Sequence, residues 1–190
     1  MALIPAGSFT MGDTFNEGES RELPLHSVYV SAFYMDRTEV TKALWDEVCQ
    51  WATNRPVELR YNFEYWALGK ANNHPAHTLT WYDAVKWCNA RSEKEGCVPA
   101  YYTSAAQTTA YRSGRVTVLN DWVKWNAGGY RLPTEAEWEK AARGGSSGQR
   151  FPSGNTITHS QANYYSRTNY AYDVSPTREY HPAYNDGVYP

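Results

Sequence analysis

Beyond Gly144 the chain keeps neither a helical nor an alternating apolar period for more than a few residues, and Ser, Gly, Asn, Tyr and Pro dominate as far as Pro190. Such a segment cannot satisfy its backbone through helix or sheet ladders, so side chains, turns or ligands must hold it. Two readings stand: an ordered, loop-rich half pinned by ligands and tyrosine hydroxyls, or a piece of something longer. The rings suit the first reading, since 8 Trp, 16 Tyr and 5 Phe make up 15% of the 190 residues. An aromatic side chain with a polar tip can fill a loop-rich core and still find a hydrogen bond. It also suits a carbohydrate or peptide cleft, and the residues alone leave that choice open.

Regular elements are expected only before Gly144. Phe9 to Asp13 reads as a short strand that runs into a Gly/Asn/Glu-rich surface loop ending near Glu22. From His26 to Phe33, Val28, Val30 and Ala32 alternate with polar or half-polar residues, the period of a half-buried strand. Thr41 offers an N-cap to a helix from about Lys42 to Thr53, with Leu44, Val48 and Trp51 on its inner face. Thr80 caps a second helix with Asp83 in its first turn. Its apolar stripes combine Val85 and Cys88 with Trp81, Ala84 and Trp87, and Gly96 is its left-handed stop. Thr134 and Glu137 form a T-x-x-E capping box, followed by a Trp138, Ala141, Ala142 stripe that Gly144-Gly145 ends. Between the last two helices, Arg115 to Leu119 has a Val-Thr-Val strand core that Asp121 to Trp125 can continue past a turn. The sum is one α+β domain over 1–190, without internal repeats.

Charge and cysteine content narrow the function. Eighteen Lys and Arg against 20 Asp and Glu leave a net charge of -2, without the basic footprint that phosphate neutralisation needs, so no nucleic-acid partner is expected. No apolar run approaches the roughly 20 residues that span a bilayer. Met1-Ala2-Leu3-Ile4-Pro5 lacks the basic and long apolar regions of a signal peptide. A soluble chain without a membrane partner is the expectation. Cys49, Cys88 and Cys97 show no C-x-x-C spacing. Cys88 and Cys97 could bridge across a helix end, although buried thiols are the commoner state.

Catalytic motifs are sparse. The phosphate-loop, dinucleotide, zincin and G-x-S-x-G hydrolase patterns are all missing. His74 and His77 have a spacing that could clip a metal, but Pro75 and Asn72-Asn73 place them in a loop. Glu135, Glu137 and Glu139 could form an acid and base pair, yet a first helical turn and a capping box account for them. Asn185-Asp186-Gly187 is the strongest turn signal of the tail, and an Asp beside a Gly also suits a calcium loop.

Four segments together carry a resemblance. They are Ile4-Pro5-Ala6-Gly7-Ser8-Phe9-Thr10-Met11-Gly12, Met35-Asp36-Arg37-Thr38-Glu39-Val40-Thr41, Leu79-Thr80-Trp81-Tyr82-Asp83-Ala84-Val85 with Cys88-Asn89, and Gly129-Tyr130-Arg131-Leu132-Pro133-Thr134-Glu135-Ala136-Glu137-Trp138-Glu139. In order and spacing they resemble the formylglycine-generating enzyme, or sulfatase-modifying factor, family. The resemblance implies a variant of the C-type-lectin-like fold, α+β and loop-rich, with short antiparallel strands and two to three helices. It implies a protein-modifying oxidoreductase of bacterial type that acts on a cysteine in a sulfatase-type C-x-P-x-R peptide or another protein, with O2 and copper held by two cysteines. Relatives make sulfoxide bonds or serve as binding modules, so a non-catalytic lectin-like interaction module is the alternative.

The family's copper-binding pair lies well downstream of the Gly-Tyr-Arg-Leu-Pro-Thr-Glu block, whereas Cys49, Cys88 and Cys97 all precede it. The resemblance therefore implies no catalytic residue in this chain, copper only if a further C-terminal part supplies the pair, and a domain whose last third follows Pro190. It also implies a structural Ca2+ held by the Asn163 side chain, the Tyr164 carbonyl, the Asp186 carboxylate and the Val188 carbonyl. All four are hard oxygen ligands. Ser153 departs from the family, which usually has Trp in this Phe-Pro-x-Gly-Asn segment.

Overall fold

Pro5 cannot donate to a ladder, and the strand pairing of the first 35 residues divides around it. In the computed structural model, which describes residues 1–183, β1 (Ala2–Ile4) pairs antiparallel with β4 (Phe33–Met35). β2 (Gly7–Met11) pairs antiparallel with β3 (His26–Val30), Gly7 opposite Val30 and Met11 opposite His26. The two ladders are one long hairpin interrupted opposite Ser31-Ala32. The strand expected from His26 to Phe33 is thus two strands with a break, and Ala32 is exposed.

The chain forms two compact units, Thr38–Leu132 and a second made of Met1–Arg37 with the segment from Pro133 onward. The hairpin belongs to the second. So does α3 (Glu135–Arg143), whose Thr134 and Glu137 form the expected capping box and whose Gly144 closes it in the left-handed conformation, φ 56°. The inner face of α3 is not the expected one. Trp138 is 62% exposed, while Lys140 Nζ donates to the Gly7 carbonyl at 2.7 Å, and Glu139 and Arg143 clamp the backbone of Gly12 at 3.0 and 2.9 Å. The helix docks by charged side chains on the open backbone groups at the hairpin ends, a contact that apolar periodicity does not register.

In the Thr38–Leu132 unit, α1 (Lys42–Thr53) and α2 (Trp81–Lys94) begin at the expected caps, Thr41 accepting from the Leu44 amide at 3.3 Å and Thr80 from the Asp83 amide at 3.1 Å. They pack through Trp45 and Trp87, stacked at 5.3 Å, with the Trp87 indole donating to the Trp45 carbonyl. Tyr61, Phe63, Tyr101, Tyr111 and Val123 complete the apolar core. Asn89 ties the loops to it: its amide donates to the Tyr101 and Tyr111 carbonyls and its oxygen accepts from the Ala100 and Tyr101 amides, so a buried polar side chain is fully satisfied. A Cβ on Gly129 would lie 2.3 Å from the Val98 carbonyl, so only glycine fits the start of the Gly-Tyr-Arg-Leu-Pro segment.

Two expectations fail in this unit. Arg115 to Leu119 is not a strand: the Val116 amide is taken by the Tyr111 hydroxyl at 3.2 Å, and Val116 and Val118 pack on the core as part of a loop. Its continuation is a 3-10 turn at Asn120–Trp122 with an isolated bridge from Val123 to Tyr101. Trp81 is exposed rather than inward. Among the described residues no helix is long and apolar enough to cross a membrane.

Candidate functional site

The tail replaces ladders with a carboxylate. Asp173 is 5% exposed, and its oxygens accept from the Tyr164 hydroxyl at 2.8 Å, the Arg167 amide at 2.9 Å and the Ser175 amide at 3.1 Å, with Arg178 Nη1 at 3.3 Å. Burial pushes this carboxyl group up, but donors from Ser166, Tyr164, Ser175 and Arg167 outweigh it and hold the group well below the ordinary carboxylate range. Single bridges from Ile157 to Asp173 and from Ser166 to Glu179 bring the flanking segments together.

His159 forms a second tie. Its amide donates to Ser175 Oγ at 3.0 Å, and its Nε2 lies 3.2 Å from the Tyr164 carbonyl and 3.1 Å from the Glu179 carbonyl. Two acceptors at Nε2 mean that this nitrogen carries the proton, with Nδ1 facing Thr177 Oγ1 at 3.2 Å. Neither Asp173 nor His159 stood out in the sequence. The available signal was Asp173-Val174-Ser175, in which an Asp side chain bonds the amide two residues on.

Of the expected calcium ligands, Tyr164 belongs to this network through its hydroxyl and its carbonyl, Asn163 precedes it in the chain without a bond to the network, and Asp186 and Val188 lie outside the described residues. Asn163 is exposed, and its side chain makes no hydrogen bond among the described residues. The Tyr164 carbonyl faces His159 with one lone pair, leaving the other for a further partner. Both oxygens are of the type a hard cation takes.

The cysteines offer no thiolate pair. Cys49 is 1% exposed in the helix core, where burial and the charges of Asp46 and Asp83 push its thiol up to about 12. Cys88 is buried on α2, Cys97 is half-buried past its end, and all three are thiols rather than disulfides. Soft copper needs two sulfurs brought together at a site that substrate can reach, and two cysteines sealed in the helix core do not fit it. The backbone of His77 bridges Leu68 and its Nδ1 faces Thr78 Oγ1 at 2.8 Å, and no group of three His, Cys, Asp or Glu side chains suited to a metal occurs among the described residues.

Few ladders, a Trp/Tyr core and a tail organised by side chains define an α+β protein of the formylglycine-generating-enzyme variant of the C-type-lectin-like fold. The solved structure titled CarF shares it, with a TM-score of 0.59 and 28% identity over 78% of this chain and 60% of that one. The model of the sulfatase-modifying factor enzyme 1-like domain matches residues 1–186, and the chain belongs to that family. The formylglycine-generating enzyme of Streptomyces coelicolor is 32% identical over 177 residues, 82% of this chain and 50% of that protein. A Paenibacillus barcinonensis protein named chaperone protein LppX is 39% identical over 131 residues, 66% of this chain and 41% of that one. The chain thus spans about half, or less, of the length of these two relatives.

Proposed function

We propose that the chain is the scaffold portion of a formylglycine-generating-enzyme-like protein, serving the oxidation of a cysteine in a sulfatase-type C-x-P-x-R segment, and that its own three cysteines do not carry out that oxidation. The observation that carries this reading is the burial of Cys49, 1% exposed in the helix core and so closed to a substrate peptide, with its thiol pushed up to about 12. The test incubates the 190-residue chain with copper, O2 and a C-x-P-x-R peptide and looks for aldehyde by hydrazide capture. No aldehyde is expected, and its appearance would overturn the reading.

A non-catalytic binding module is favoured by a different observation, the rings left in solvent: Trp66, Trp81 and Trp138 are each about half exposed or more. The coding sequence past Pro190 separates the two. A pair of cysteines after a Gly-Asn-Val-Trp-Glu-Trp type segment supports the enzyme, and a continuation without one supports the module. In either case the Asn163 side chain, the Tyr164 carbonyl, Asp186 and the Val188 carbonyl are proposed to hold a structural Ca2+. The Asn163 side chain, which has no hydrogen bond among the described residues, and the second lone pair of the Tyr164 carbonyl support it.

A further inference from the structure

In the unit that contains the hairpin and the tail, four flat groups stack in series. The Arg150 guanidinium lies over the Phe15 ring, 4.0 Å from its centroid, and over the Tyr172 ring, 4.8 Å from its centroid, and Tyr172 in turn stacks on Tyr170 at 5.2 Å with 21° between planes. The last ring, Tyr170, has one face on Tyr172, makes no other ring contact among the described residues and is 46% exposed. It borders a cleft of about 560 Å³, which Asn155, Thr156 and Asn169 also line. That volume lies within the roughly 300–1,000 Å³ typical of small-molecule sites.

The charge in this cleft is already spent within the protein. Arg150 donates from Nε to Glu17 at 2.9 Å and from Nη1 to the Asn155 carbonyl at 2.8 Å, and Nη2 pairs with Glu17 at 2.8 Å. An anionic ligand would have to displace Glu17, and a cationic one would have to displace Arg150. What stays available is neutral: the Asn155 Nδ2 donors, the Thr156 hydroxyl and the Asn169 amide, none of which has a hydrogen-bond partner among the described residues. A braced, half-exposed ring beside uncharged donors and acceptors matches a ligand with an apolar C–H face rimmed by hydroxyls.

We infer that this cleft binds a neutral sugar ring, its C–H face on Tyr170 and its hydroxyls on Asn169, Thr156 and Asn155. The Phe15, Arg150 and Tyr172 tiers position Tyr170, so little ordering is left for the ligand to impose. The test is saturation-transfer NMR on the 190-residue chain with methyl glycosides of glucose, galactose, mannose and xylose as probes. Transfer from Tyr170 to the ring C–H protons of at least one glycoside is expected. Tyr170→Ala should weaken binding about tenfold or more, Asn169→Ala should weaken it less, and Tyr170→Trp should keep it. Because Tyr170 is half exposed, melting temperatures of the variants should match the parent, so a loss of binding reports on the cleft and not on folding. No transfer from any glycoside, equal transfer in Tyr170→Ala, or competition at Tyr170 by a C-x-P-x-R peptide in place of the sugars would overturn the inference.

Discussion

Asp173 stands where a hydrophobic residue would be expected if the tail were held by an apolar core. Its carboxylate gathers a hydroxyl, two amides and a guanidinium from four different residues, so its removal strands several donors at once. Asp173→Ala should therefore cost about 2–3 kcal/mol, measured by urea denaturation, whereas neighbouring exposed Val174→Ala should stay within about 0.5 kcal/mol. The same group gives an acid dependence whose sign follows from its lowered folded-state value. Its contribution is fully present above the unfolded Asp value of about 3.9 and is lost as pH falls through the lower folded value. Below about pH 4 the parent should lose stability more steeply than Asp173→Asn, and parallel pH profiles for the two would argue against the assignment. Asp83 is the counterpart in the other unit: fully buried, paired with Lys86 at 3.0 Å, and accepting from the Glu64 and Tyr65 amides. Burial pushes it up, but the Glu64 amide, Lys86 and Thr80 hold it below the ordinary range. Asp83→Ala leaves Lys86 buried without its carboxylate and should cost about 3–5 kcal/mol by the same denaturation.

At the scale of elements, the three helices were legible to their ends because capping is local: Thr41, Thr80 and Thr134 each announce a start, and Gly144 a stop. Which face of a helix turns inward was less legible. In α1 and α2 the apolar face meets an apolar partner, and Val48, Val85, Trp87 and Cys88 are buried as the spacing predicts. In α3 the partner is the polar backbone of a hairpin, and Lys140, Glu139 and Arg143 make the contact while Trp138 stays outside. Trp138→Ala should accordingly change the melting temperature very little. Lys140→Met, which keeps the stem but removes the donor to Gly7 and Val30, should lower it by several degrees, about 1–2 kcal/mol. The reverse order of effects would show that the aromatic ring, not the ammonium group, docks the helix. Arg115 to Leu119 failed for a related reason: a Val-x-Val pattern reports two buried side chains, and a loop folded over a core buries them as well as a strand does. In the tail only the family resemblance pointed to residues, Asn163 and Tyr164 among them, and nothing pointed to Asp173 or His159, because single side-chain bridges between distant loops leave no period to read.

Over the whole molecule, stabilising interactions are unevenly distributed. Every residue of the apolar core cluster belongs to the Thr38–Leu132 unit, whereas the hairpin and tail unit has Val30 as its one buried hydrophobic residue among those described, beside buried Glu137, Ser166, Asp173 and Ser175. Hydrophobic burial is the dominant favourable term of folding, so a unit organised by polar networks opens at lower free energy. Amides such as Ser166 and Glu179 should thus exchange hydrogen well before Tyr111 or Ala84 does. A ligand that binds only the ordered tail adds stability by mass action, about 2.7 kcal/mol at one hundred times its dissociation constant. If Asn163, Tyr164, Asp186 and Val188 hold Ca2+, adding the ion should slow exchange at Ser166 and Glu179, leave the helix core unchanged, and raise the melting temperature. Asn163→Ala and Asp186→Ala should abolish both effects while matching the parent in chelator. Destabilisation by these substitutions that is equal with and without calcium would assign the residues to a turn instead of a cation site.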